Sequence, residues 1–218
     1  MINFNSLFKY QTNEIQTCKM TVKQEILNAF TELLWSLYVI ILGYIFLKNS
    51  KNIKTSLRFL IIMISTGLHL PFSLTYHLRQ ALRLGDDPMD NKWRRLDQAG
   101  INFACITYCF STSGSILYGL FALLVQFYNI IEIWLPTTNP SKRQINIFMG
   151  AIMYLFPILW FNYFTKIIFA LFFLTIGIIG FIYNDIYFFG YGSSIFHLSM
   201  IPYHWAILSF ILMQSEKY

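Results

Sequence analysis

An α-helix needs about 20 mostly apolar residues to cross the hydrocarbon core of a bilayer, and stretches of that kind follow one another along almost all of this 218-residue chain. The first is expected from about Ile26 to Leu47 and the second from about Leu57 to Leu78, with the polar stretch Lys48 to Thr55 between them. A third begins abruptly at Leu96, after a charged loop from Gln80 to Arg95. The apolar run from Leu96 to Leu135 is about twice the length of one crossing. Near its middle the Ser111-Thr112-Ser113-Gly114 cluster has the composition of a tight turn, so the run is read as two spans. The basic segment Pro136 to Gln144 is expected to be a loop, followed by a fifth span, Ile145 to Phe161, a turn, Asn162 to Lys166, and a sixth span, Ile167 to Tyr183. An aromatic and glycine-rich connector, Asp185 to Gly192, leads to the seventh, about Ser193 to Met213. The fold expected is all-α: an integral membrane seven-helix bundle over 26–213, with a polar amino-terminal tail (1–25) and a short carboxyl tail (214–218).

Only 12% of the residues are charged, against about 25% in soluble domains. The net charge of +6 does not point to nucleic acid, because the basic residues sit at the ends of apolar runs and form no stripe. Membrane topology and anionic lipid head groups account for them. If the spans alternate, ten Lys and Arg fall on the face that carries the amino terminus and six on the other. That bias places the amino terminus in the cytosol of a multi-pass protein. Residues 1–25 are polar, with Lys9, Lys19 and Lys23, and do not read as a cleavable signal peptide, so the first span is expected to direct insertion. Cys18, Cys105 and Cys109 are too few for a disulfide framework and lack zinc-ribbon spacing. The 22 Phe and 14 Tyr supply aromatic helix faces for membrane lipids and for protein partners.

All four histidines lie in two spans, His69 and His77 in the second, His197 and His204 in the seventh. Ionisable groups at membrane depth are rare and usually face the bundle interior, so this clustering is the most informative feature of the chain. The two spans must run antiparallel if seven helices alternate, which sets His77 level with His197. His69 then falls level with His204, roughly 10–12 Å deeper at 1.5 Å per residue. Ser73 lies one turn below His77 on the same face, and Asp97 opens the third span. Two imidazoles, a hydroxyl and a carboxylate near one end of the bundle would suit a metal-activated water. Imidazole is a good zinc ligand, a catalytic zinc keeps one position for water, and a carboxylate can take its proton.

Plainer roles compete with this one. An intramembrane histidine can simply hydrogen-bond a backbone carbonyl, which suits His69 and His204 as well as any site does. Asp97 can pair with Arg94 or Arg95 at the interface, and Glu32 and Glu132 read as helix-packing or interface residues. Two tiers of facing histidines would also permit bis-histidine haem ligation, although tiers only about 11 Å apart leave little room for two porphyrins.

At these residues the chain resembles the superfamily of seven-span membrane hydrolases and receptors that groups alkaline ceramidases with the progestin and adipoQ receptor and hemolysin III families. Ser73-Leu74-Thr75-Tyr76-His77 is similar to its serine and histidine four residues apart in the second span. Arg94-Arg95-Leu96-Asp97 is similar to its start of the third span, and Ile195-Phe196-His197 to the later half of its last motif. The earlier histidine of that motif is replaced by Ser193. The resemblance implies zinc held by His77 and His197, with Ser193 or a water completing the shell. Asp97 would act on the water, and Ser73 would bond Asp97 or the reacting oxygen. It also implies hydrolysis of an amide in a lipid such as ceramide. The lost histidine leaves open a non-catalytic member, acting as a receptor or as a structural subunit of a larger membrane complex.

Overall fold

The structure, a computed structural model, describes residues 20–84, 90–135, 140–183 and 188–215. The loop residues Asp86 and Asp87, Cys18, Lys9, Lys19, Pro136, Asp185 and the end of the carboxyl tail lie outside them. Among the described residues there are seven helices and no strand: α1 Val22–Asn49, α2 Ile53–Ala81, α3 Lys92–Ser113, α4 Ile116–Trp134, α5 Pro140–Trp160, α6 Phe164–Ile182 and α7 Gly192–Ser215.

Each expected span is a helix, and polar caps start α1 and α3 ahead of their apolar runs. α1 begins a full turn before Ile26, inside the expected tail. The Thr21 hydroxyl accepts the Gln24 N–H at 3.3 Å and the Gln24 carboxamide accepts the Thr21 N–H at 2.6 Å, a reciprocal cap that satisfies two orphan donors. That start brings Glu25 into the helix. α3 likewise begins at Lys92, four residues ahead of Leu96, because the Asn91 side chain accepts the Trp93 and Arg94 N–H groups, both at 2.9 Å. The expected loop Pro136 to Gln144 is cut short, since α5 starts at Pro140, and proline's fixed φ and missing N–H suit the first helical position. The turn read from Ser111 to Gly114 is present. Gly114 ends α3 at φ +65°, and its N–H reaches the Phe110 carbonyl at 2.9 Å.

Neighbours in sequence pack together from α1 through α4, and α6 packs along α7. The exception is α5, which lies mainly against α3 rather than against α4 or α6, and α1 meets α7 to close the arrangement. The innermost helix is α7, where Tyr203, Ala206, Ile207, Leu208, Phe210 and Ile211 are fully buried. Elsewhere large apolar side chains such as Ile41, Leu68, Leu124 and Ile168 point outward, as lipid-facing residues do. Five helices, α1, α2, α4, α6 and α7, are long and apolar enough to cross a membrane, and the chain is a multi-pass integral membrane bundle. Close helix approach relies on small residues: a Cβ at Gly177 would stand 2.4 Å from the Ser199 hydroxyl, and one at Gly150 would stand 2.9 Å from Cys105 Sγ.

A buried carboxylate–imidazole site between α1, α2, α3 and α7

One face of α1 carries Glu25, Asn28, Thr31, Glu32 and Ser36, all buried. Steps of three and four residues stack them along a single stripe, which the packing of α1 turns toward α2 and α7. A polar stripe inside a lipid-embedded bundle must find partners, because an unpaired polar group there costs several kcal/mol by general estimates of about 2–7. Its partners are the histidines.

His77 and His197 do meet, as their expected depths require. Their rings lie edge to face with centroids 5.6 Å apart. Each is held by α1: His77 Nδ1 lies 2.9 Å from Glu25 Oε2, and His197 Nε2 lies 3.3 Å from Glu32 Oε2. The second ring nitrogen of His197 lies 3.1 Å from the Thr31 hydroxyl oxygen, which also reaches the Leu27 carbonyl at 2.9 Å. Just above, the Ser194 hydroxyl donates to the Asn28 carboxamide oxygen at 2.6 Å and fixes α7 on α1.

Deeper in the bundle the Asp97 carboxylate is hydrogen-bonded to His69, while His77 and His197 lie near enough for its charge to act on them. His69 Nε2 is 2.8 Å from Asp97 Oδ1, and His69 Nδ1 is 3.7 Å from Glu32 Oε1. The imidazole is thus flanked by two carboxylates. α3 comes close enough for this only because residue 100 is glycine, where a Cβ would stand 2.8 Å from His69 Cδ2. Ser73 faces the Asp97 carboxylate, the partner expected for it. Glu32 also accepts the Trp35 indole N–H at 2.8 Å and the Ser36 hydroxyl at 3.3 Å. It is the hub of the cluster, joining His69, His197, Trp35 and Ser36.

His204 has the plainer role. Its Nδ1–H donates to the Met200 carbonyl at 2.7 Å, and its ring stacks on Trp35 with centroids 5.0 Å apart. Trp35 stands between His69 and His204, with its ring centroid 6.4 Å from that of His69, so the indole fills the lower tier where a porphyrin would lie. The upper imidazoles touch directly, which leaves no slot for one either.

The residues do not fit the zinc centre that the resemblance implies. Among the described residues no three His, Cys, Asp or Glu side chains converge in an arrangement that would hold a metal ion. His197 has a partner at both ring nitrogens, His77 gives Nδ1 to Glu25, and Asp97 is turned to His69. Ser193 is buried at the start of α7, and it is its neighbour Ser194 that reaches across to α1. What the site does hold is three carboxylates, Glu25, Glu32 and Asp97, against three imidazoles, with Arg94 beside them donating to the Tyr76 hydroxyl at 2.6 Å. Buried charges persist only when paired and hydrogen-bonded, and here each carboxylate has an imidazole.

Glu25 goes unnoticed when the sequence is read for metal chemistry, and Glu32, expected to be a helix-packing or interface residue, instead faces His69 and His197. Their signal is present all the same: seven residues apart, on one face with Asn28, Thr31 and Ser36, in an otherwise apolar helix. Glu132 does have the packing role expected of it. It accepts from Lys142 at 2.5 Å and Asn146 at 3.1 Å, fastening α4 to α5. No family model and no curated protein matches the chain.

Proposed function

We propose that this membrane protein carries out acid–base chemistry on the polar group of a membrane lipid, through a carboxylate–imidazole relay that stands where the superfamily it resembles builds a histidine-metal centre. The observation that carries the reading is the Glu32 carboxylate between His69 and His197. It links Asp97, His69, Glu32 and His197 into an alternating acid and base series, with the Glu25 and His77 pair against its upper end. A proton taken from the attacking water at one member can be handed along the series, the use to which Asp, Glu and His chains at membrane depth are put. General acid–base catalysis by such groups contributes about 10²–10⁴-fold to a rate. Hydrolysis of a lipid amide, the reaction the resemblance implies, is the first to assay. The substrate's acyl chain would lie along apolar helix faces.

The test is release of fatty acid from ceramide in mixed micelles by the purified full chain, with and without a strong chelator. Chelator-resistant activity that falls by about 10²-fold or more in Glu32→Gln supports the relay. Activity abolished by the chelator and restored by zinc would replace it with a metal mechanism. A second reading, a non-catalytic receptor-like member, is favoured by one observation, Ser193 in place of the earlier histidine of the last motif. Absence of hydrolysis across ceramides and other lipid amides would select it.

A further inference from the structure

At the rim of the bundle where α3 and α5 begin, two arginines share one carboxylate and a third stands close to them. Asp90 holds Arg95 by two parallel contacts, Nε to Oδ1 and Nη2 to Oδ2, both 2.8 Å, and holds Arg143 through Nη2 at 3.0 Å. Arg94 is the third, its Nη1 on Tyr76, and it lies near enough to Arg143 for the two charges to repel. Its own acidic neighbours, Glu25 and Asp97, are taken by His77 and His69.

Arg143 is among the most buried of the described side chains, 1% exposed, yet among the described residues its Nε and Nη1 have no hydrogen-bond partner, and neither does the buried Nε of Arg94. Leaving a buried charged donor unpaired costs more than leaving a neutral one so, and such donors mark a place where an acceptor belongs. Two guanidiniums on one aspartate leave an excess of positive charge, and the amino-terminal ends of α3 and α5 add their partial positive charge to the same spot. A group with several anionic oxygens arranged for guanidinium forks would satisfy all of this. Phosphate has that shape and charge.

We propose that the first turns of α3 and α5 form an anion site in which Arg94, Arg95 and Arg143 take up a phosphate group, with Asp90 holding two of the guanidiniums in position. The phosphate can come from a phospholipid head group or from a soluble phosphate, and the test separates the two. The full chain, purified in neutral detergent, is heated while intrinsic tryptophan fluorescence is followed, since Trp93 and Trp134 flank the site. One arm adds phosphatidic acid to the micelles, with phosphatidylcholine as control. The other adds inorganic phosphate, with sodium chloride at matched ionic strength. Stabilisation by phosphatidic acid alone assigns a lipid head group, and stabilisation by inorganic phosphate as well assigns a soluble source. In either case Arg143→Gln should weaken the response by about tenfold or more, the loss of a charge-assisted pair. Arg95→Gln serves as a second variant should the first fold poorly. A melting temperature that moves with neither phosphate source beyond its control, or that moves equally in wild type and both variants, overturns the proposal.

Discussion

Replacing Glu32 by Gln changes one atom of the hub and leaves its volume, so the loss can be reckoned contact by contact. The carboxylate is 2% exposed and faces four groups: the Trp35 N–H at 2.8 Å, the Ser36 hydroxyl at 3.3 Å, His197 Nε2 at 3.3 Å and His69 Nδ1 at 3.7 Å. A carboxamide offers one acceptor oxygen and one amino group. The oxygen can keep Trp35 or Ser36, but the amino group then meets an N–H or O–H donor, and His69 loses the second of its two flanking carboxylates. Breaking a buried ion network by removing one partner costs ~3–5 kcal/mol, and the retained oxygen recovers about 1 kcal/mol as an ordinary hydrogen bond. The net loss expected is thus ~2–4 kcal/mol. For a chain of this size each kcal/mol moves the melting temperature by about 2–4 °C, so Glu32→Gln should melt roughly 4–16 °C below wild type in the same detergent. Tryptophan fluorescence is a suitable reporter, because Trp35 donates to the carboxylate and stacks on His204. A variant melting within about 1 °C of wild type, with unchanged Trp35 emission, would refute the assignment of Glu32 as the hub.

Other perturbations have definite outcomes. Gly100→Ala would push a methyl group into His69 and is expected to cost ~1–3 kcal/mol as overpacking, read as a lower melting temperature together with reduced activity in the amide assay. Ser193→His supplies the third imidazole that the last motif lacks, so zinc measured by mass spectrometry should rise in the variant relative to a wild type without stoichiometric zinc. Asp90, clamped mainly by Arg95 with Arg143 beside it, has its carboxyl pKa lowered from 3.8 to about 2. A depressed folded value means that the clamp's stabilisation is full above 3.8 and is lost as pH falls through about 2. The gap in melting temperature between wild type and Asp90→Asn should therefore close over that window. Ser194→Ala removes the α7 to α1 bond and should cost about 0.6 kcal/mol, the usual worth of an interhelical hydrogen bond in a membrane.

The number and order of helices could be read from the chain because a bilayer admits few alternatives to a run of apolar residues long enough to cross it. The ends could not, because they are set by local caps such as Thr21 with Gln24 and Asn91 with the α3 N–H groups, which apolar periodicity does not register. The meeting of His77 with His197 followed from depth alone, since antiparallel helices of equal rise put them level. Their partners did not follow, because which face of α1 turns inward depends on packing between helices distant in sequence. Asp97 was readable as a buried acid, but its choice of His69 depended on the closeness that Gly100 allows.

The coupling of Glu32 to His197 is tested most directly by a double-mutant cycle on thermal stability, with Glu32→Gln, His197→Gln and the pair in one chain. If the carboxylate holds that imidazole, the two losses should fall short of adding by ~1–3 kcal/mol, as they do for side chains in contact. Losses that add to within about 0.5 kcal/mol would mean that the two groups do not touch, and the relay would lose its central link.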